Sequence, residues 1–475
     1  MIKKILLLAT GFMAMYGAIA QYSTGDKTSA AEFEAILKAA ERSTRDLTNL
    51  PPSFSMKKYA PPPQNQIPYS TCVAWSSAYA ARTISYAIKR NMTQPDSIKK
   101  YAFSPGYLYY KVKDATDAEC KEGASILKAM QVMTATGAIL KKEGLVDCAT
   151  VIPETTEHQK APPYKIKDFL ALNKTFDSIS KNDILKIKKS LYEKKPVVIS
   201  MKIYDSYERV PASGILTVGP DDMKIPASHA MCIIGYDDKV GGGSFEVMNS
   251  WGANWGNKGF FWLSYKQVMK DGVYAVELMD FEAGRTKLSG ELEFIKLVNG
   301  SDIPLKVTRS SINSNNDPVQ AKGRADYSLY KLTDALKSGD KFKIKFNTAA
   351  PCYIYIFGED PRKKISLLFP VESYYSAAIN SSNATYYLPS DSTHATLDKT
   401  VGKENFCILY SKSKIDFEDL MNYIKEKRIS IAQGVKEKLG SRLIKKTEFR
   451  DDKISFQAPA DDQSVLCFFV EMDHN

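Results

Sequence analysis

Residues 228–263 read SHAMCIIGYDDKVGGGSFEVMNSWGANWGNKGFFWL. The apolar run "AMCIIGY" leads into the polar, glycine-rich stretch Asp237–Ser244, and "SFEVMNSW" leaves it. Two strand-like runs around such a stretch predict a β-hairpin. Residues facing each other across an antiparallel hairpin share a midpoint. The midpoint of His229 and Asn249 is residue 239, inside the loop. The pattern therefore sets His229 beside Asn249, within side-chain reach. An asparagine there can hold the tautomer and ring angle of the imidazole without taking its proton.

The chain has four histidines: His158, His229, His394 and His474. His158 and His394 lie in polar stretches, and His474 is next to last. Only His229 opens an apolar strand. A thiol partner for it lies upstream, in NQIPYSTCVAWSSAYAA, Asn65–Ala81. Val73, Ser77, Ala80, Ala81, Ile84, Ala87 and Ile88 recur at steps of three and four, predicting a helix with a small-residue face. Ser70 or Thr71 suits its N-cap, which puts Cys72 in the first turn. Unsatisfied N–H groups and the positive end of the macrodipole favour a thiolate there. The bland readings are a satisfied strand-end histidine and a core cysteine. The Cys/His/Asn arrangement favours nucleophilic chemistry.

With 475 residues, 44% hydrophobic and 25% charged, the composition is that of a globular protein of two or three domains. The net charge of +11 is spread along the chain rather than blocked, so a solvated basic surface is expected and no nucleic-acid partner. The N-terminus MIKKILLLATGFMAMYGAIAQ joins Lys3 and Lys4 to an apolar run and to the small residues Ala18-Ile19-Ala20. This predicts a signal peptide, residues 1–20, and export to the periplasm or beyond. No segment reaches the ~18 apolar residues of a transmembrane span. Export makes disulfides possible. Of seven cysteines, Cys232, Cys352, Cys407 and Cys467 sit in apolar strand-like runs and are expected to be inert thiols. Cys120 and Cys148 sit in polar settings and are expected to bridge.

Residues 21–49 predict a short helical segment, opened by the capping pair Ser29 and Glu32. Further helices are expected at Ala124–Thr136 and Asp183–Tyr192. After Pro196 come the strands "VVISMKIY", "AMCIIGY", "SFEVMNSW" and "GFFWLSY". Helices followed by strands predict an α+β unit over 50–284. Past a Gly-, Asn- and Ser-bearing stretch, residues 289–475 form a separate β-rich domain with one obvious helix, "DFEDLMNYIKEK". Few contacts are expected to cross that boundary.

Together, Gln66-x5-Cys72, "SHAMCIIGYDD" and "VMNSWGANWGNKGFFWL" resemble the papain-like cysteine peptidases. The resemblance implies the two-lobed papain-like fold, a helical lobe plus a β-rich lobe. It implies Cys72 as nucleophile, His229 as general base and then acid, and Asn249 as orienter. Gln66 becomes an oxyanion donor, Trp251 a shield over the His–Asn contact, and Gly123 part of the region that pairs with substrate backbone. It calls for a peptide or protein substrate and for no metal or cofactor. Two positions depart from the family pattern: Tyr69 stands where a second cysteine is usual, and Val73 where tryptophan is usual. One family disulfide is therefore missing, and Cys120 needs another partner. Residues 21–49 are also shorter than the family's inhibitory pro-region.

The C-terminal stretch "LKSGDKFKIKFNTAAPCYIYIFGEDPRKKISLLFP" is similar to a bacterial accessory domain of unknown function. It suits a β-sandwich that binds a protein or a surface. The expected activity is that of an exported cysteine peptidase. The competing readings are a binding protein on an altered papain-like scaffold, and a thiol transpeptidase or amidase.

Overall fold

The computed structural model describes residues 24–141, 160–280, 286–312 and 327–475. The expected signal peptide and Cys148 lie outside the described residues.

The chain is α+β. Its first part packs helices against a seven-stranded antiparallel sheet. The strand order is Asp168–Ala171, Gly272–Met279, Val197–Tyr204, Lys224–Asp237, Ser244–Met248 and Phe260–Ser264, with Ser53–Ser55 added against Lys224–Asp237. The central strand Val197–Tyr204 is almost continuously apolar because both its faces are covered. The central helix starts at Cys72–Ala74, widens into a π-helix over Trp75–Arg82 and ends as Thr83–Lys89. Every residue from Cys72 to Ile84 is buried. Ser77, Ala78, Ala80 and Ala81 keep the face small, so sheet and helix can approach closely.

The other expected helices form at Ile126–Ala135, capped by Ser125, and at Lys181–Tyr192, with a Ser180–Asp183 capping box. The N-terminal segment is helical only over Ala30–Glu34 and Thr44–Thr48. The Ser29–Glu32 capping box starts the first helix. The buried Lys38 ammonium ends it by bonding the carbonyls of Phe33, Glu34 and Ile36.

The C-terminal part is a sandwich of two seven-stranded sheets. One sheet centres on Val465–His474, Gly402–Ser411 and Cys352–Glu359. The other centres on Lys341–Thr348, Thr286–Val298 and Ile454–Ala460. Leu292, Ile344 and Phe346 meet Ile354, Ile408 and Phe468 between them. The outer face of the first sheet carries Tyr355, Leu409 and Phe469. Two helices cover it, Phe417–Lys427 and Ile431–Leu439. The second helix was not expected. Its Gly434 allows the pair to close, since a Cβ there would lie 2.2 Å from Ile424.

More contacts cross between the two parts than the linker composition suggests. Residues 38–43 strap them together: Lys38 N–H donates to Tyr374, Ala39 N–H to Ala171 and Ser43 N–H to Thr385. Glu193 binds Arg42 at 3.0 Å, Lys195 at 2.7 Å and Ser381 Oγ at 2.7 Å. Burial pushes its carboxyl up, but the Lys195 and Arg42 charges outweigh that and hold it at about 2. Glu277 joins Ser190 to Asn380. Leu170 and Met279 pack into the outer core of the sandwich.

Candidate active site

Cys72 is the first residue of the central helix and is completely buried. Thr71 is at the N-cap position, but its side chain makes no capping bond. The chain is steered into the helix by Ser70, whose N–H donates to the Cys120 carbonyl at 2.7 Å. The backbone N–H groups of Ala230, Val73 and Gly25 lie near enough to the sulfur to favour its anion. Ala230 follows His229, so the thiol meets the histidine strand.

His229 Nε2 lies 2.8 Å from Asn249 Oδ1. The strand register differs from the expected one: Cys232 faces Met248, a displacement of two residues, and a bulge follows between Ile233 and Gly235. The strand Ser244–Met248 stops before Asn249. The two side chains still meet, because a two-residue shift keeps both on the same face and leaves them diagonal neighbours. Asn249 Oδ1 also accepts from the Ser250 N–H at 2.8 Å, which orients the amide. An amide oxygen can only accept, so Nε2 carries the proton. Nδ1 of the neutral ring is then the basic atom, and it has no hydrogen-bond partner among the described residues. The Trp251 ring stacks on the imidazole, with centroids 4.7 Å apart and planes at 24°.

Ser250 ties this pair to Gln66. Its Oγ donates to Gln66 Oε1 at 2.5 Å, and its carbonyl accepts the Gln66 N–H at 2.8 Å. The Gln66 Nε2 amide donates to the Tyr69 carbonyl at 2.9 Å. Ser250 was not among the expected site residues; its only signal was its place inside "NSW". Cys120 is disulfide-bonded, and Cys72, Cys232, Cys352, Cys407 and Cys467 are free. The expected partner of Cys120, Cys148, lies outside the described residues.

The N-terminal segment covers the sulfur. Gly25 and Asp26 donate their N–H groups to the Ser228 carbonyl at 3.3 and 3.0 Å. On the other side, the Ala124 N–H donates to Gly25 O at 2.8 Å, and the Lys27 N–H to Ala124 O at 3.0 Å. The segment thus bridges the walls of the cleft beside Gly123, directly over Cys72. Two glycines permit this approach. A Cβ on Gly123 (φ +84) would lie 2.3 Å from Gly25 O, and one on Gly25 would lie 2.3 Å from Ser70 O. Residues 21–49 are short, yet a handful of them suffices to close the cleft.

Closure sets the protonation state. Burial pushes the Cys72 thiol up to about 12, against the three N–H groups that favour its anion, and the nearby Asp26 adds to the rise. Burial pushes His229 down to about 4, against its bond to Asn249. The covered site therefore rests with the Cys72 thiol and the His229 imidazole both neutral.

Residues 57–277 match the model of the papain family cysteine proteases, and residues 335–414 match a domain of unknown function, DUF4384. The chain is 26% identical over 125 residues to an uncharacterised peptidase C1-like protein of Acanthamoeba polyphaga mimivirus, covering 26% of this chain and 40% of that protein. It is 22% identical over 141 residues to vignain of Vigna mungo, covering 30% and 38%. The matched part thus spans about 40% of the length of these relatives. Among solved structures it is similar to xylellain, a cysteine protease from Xylella fastidiosa, at 18% identity and TM-score 0.44, over 55% of this chain and 96% of that one. It is also similar to the bromelain protease from Ananas comosus, at 17% identity and TM-score 0.36, over 49% and 100%.

Proposed function

We propose that the protein is an exported cysteine peptidase that hydrolyses peptide bonds through Cys72, His229 and Asn249. The observation that carries this reading is the unpartnered Nδ1 of a ring whose other nitrogen is held by Asn249, on the strand whose next N–H meets the Cys72 sulfur. Once the cleft opens to water, the burial penalty on both groups falls. Proton transfer from Cys72 to His229 Nδ1 then yields a thiolate–imidazolium pair. The thiolate attacks the carbonyl carbon of the substrate. The developing oxyanion would take hydrogen bonds from the Cys72 N–H at the helix start and from the Gln66 amide that Ser250 orients. His229 gives its proton to the leaving amine, and a thioester remains on Cys72. Water, deprotonated by His229, releases the acid and restores the thiol. Trp251 keeps water from the His229–Asn249 bond. The reaction asks for no metal or cofactor.

The test is hydrolysis of a fluorogenic peptide library by the wild type and by Cys72→Ala, with and without a thiol-directed epoxide. Turnover by Cys72→Ala at the wild-type rate would refute the assignment. Added amines that capture the acyl group in preference to water would favour a transpeptidase.

A further inference from the structure

Residues 24–28 lie in the cleft as a peptide does, paired through their backbone to both walls, with Gly25 against the Cys72 sulfur. The side chain next to that point is Asp26, and it is buried. Its carboxylate accepts from Ser200 Oγ, from Thr28 Oγ1 at 2.8 Å and from the Thr28 N–H at 3.2 Å, and lies 3.0 Å from the Tyr274 hydroxyl, which also meets Thr28 Oγ1 at 2.5 Å. Thr28 belongs to the segment itself. Ser200 and Tyr274 belong to the cleft and stay when the segment leaves.

The sheet explains why these two residues form a pocket floor. Ser200 is paired with Ala230 on one side and with Tyr274 on the other, so the three stand in one row across neighbouring strands. Ala230 is small and follows His229. Ser200 is a polar residue in the otherwise apolar run Val197–Met201, and it is fully buried. Its hydroxyl and that of Tyr274 both meet the occupant, and among the described residues no lysine or arginine pairs with Asp26.

We propose that the pocket holding Asp26 is the specificity pocket of this cleft, that it selects a short side chain with acceptor oxygen, asparagine or aspartate, one residue from the scissile position, and that Ser200 and Tyr274 read it. The proposal rests on the peptidase reading above for its catalytic meaning. Two buried hydroxyls need an acceptor. A leucine or phenylalanine side chain would leave both unmatched. The lack of a cation makes a neutral carboxamide at least as good as a carboxylate. Consistent with this, burial pushes the Asp26 carboxyl up.

The test has two arms. In the full chain, the rate at which iodoacetamide labels Cys72 is followed by peptide mapping in the wild type, Asp26→Asn and Asp26→Leu. Asp26→Asn is expected to stay as protected as the wild type, and Asp26→Leu to label at least tenfold faster. Tyr274→Phe in the wild-type chain is expected to loosen the segment in the same direction, a control should Asp26→Leu fold poorly. Equal protection in Asp26→Leu and Tyr274→Phe would overturn the proposal. In the second arm, the opened Asp26→Leu chain is given peptides that differ only in asparagine, aspartate, leucine or phenylalanine at one of the two positions before or the two positions after the scissile bond. Asparagine or aspartate is expected to raise kcat/KM at least tenfold over leucine at one position, and Ser200→Ala to shrink that ratio. Cleavage with leucine or phenylalanine preferred would overturn the pocket inference and leave the peptidase reading standing. If no peptide is cleaved, the peptidase reading falls, and the labelling arm alone still decides what the pocket holds.

Discussion

Cys72 in the cleft and Cys467 in the C-terminal sandwich are both buried and both have their thiols pushed up, yet they sit in different surroundings. Around Cys72 three N–H groups converge and a neutral histidine lies on the adjoining strand. Around Cys467 the polar neighbour is another thiol, Cys407, at 3.8 Å, enclosed by sheet and helices. The covers differ as well. Cys467 is shut in by strands and helices that cannot leave without unfolding. Cys72 is shut in partly by an N-terminal segment held by a few backbone bonds and one buried carboxylate. Burial alone therefore does not distinguish an inert thiol from a reactive one. The nearby donors and base, and how easily the cover can be removed, make the distinction.

The largest expected effect breaks the symmetry directly. Cys72→Ala should lower peptide hydrolysis by about 10³-fold or more, while Cys467→Ala stays within about twofold of the wild type. A similar loss from both, with intact folding, would erase the distinction. His229→Ala should approach the Cys72→Ala loss. Asn249→Ala should keep a weak, measurable rate, because it positions the ring and moves no proton. Equal losses from these two variants would argue against separate roles.

A third expectation concerns the contact between the two regions. Glu193 has a folded pKa of about 2 against an ordinary 4.5, so it binds fewer protons when folded. Its contribution, about 3 kcal/mol, is fully present above pH 4.5 and is lost as pH falls toward 2. Thermal melts of the wild type and Glu193→Gln across that window would show it as a slope that the variant lacks. Ending the chain near residue 286 would remove Ser381 and Asn380 from Glu193 and Glu277, and should lower Tm. An unchanged Tm would mean that the two parts fold independently.

The covered histidine offers a finer test. His229 should stay neutral down to about pH 4 in the intact chain, and in Asp26→Leu should take up its proton at a clearly higher pH. Because its folded pKa is lowered, the covered state binds fewer protons in that window. This contribution to closure is full above pH 6.5 and weakens as pH falls toward 4. Resonances of the histidine ring followed by NMR would reveal a common pKa in both chains if the segment does not cause the shift. The smallest effect is expected in the sandwich, where Cys467→Ala should cost about 1 kcal/mol through lost packing. A loss several times larger in urea titration would mean that the pair with Cys407 has a bonding role.

Much of the first part was legible because its signals are local. Ser180 with Asp183 and Ser125 mark helix starts by capping chemistry. The apolar runs at Val197, Ala230 and Phe260 became strands because each is buried on its sheet. The register of the hairpin was not legible. Its bulge at Ile233–Gly235 depends on Ser53–Ser55 lying alongside, where a Cβ on Gly235 would meet the Phe54 carbonyl at 2.6 Å. The extent of the first helix was hidden too, because its end is set by the Lys38 ammonium folding back onto carbonyls.

By itself the sequence determined which residues could do chemistry: a cysteine at a helix start, one histidine opening an apolar strand, and an asparagine across a hairpin. Composition and spacing carry such information because capping, periodicity and strand alternation act over a few residues. Only the tertiary structure decided the state of those groups. The neutral thiol and imidazole, the tautomer set through Ser250, and the cover made by Gly25 and Asp26 arise between segments far apart in the chain. Desolvation and backbone pairing across a cleft depend on what the fold brings together, and no local pattern around Cys72 encodes the N–H groups of Gly25 and Ala230 that meet its sulfur.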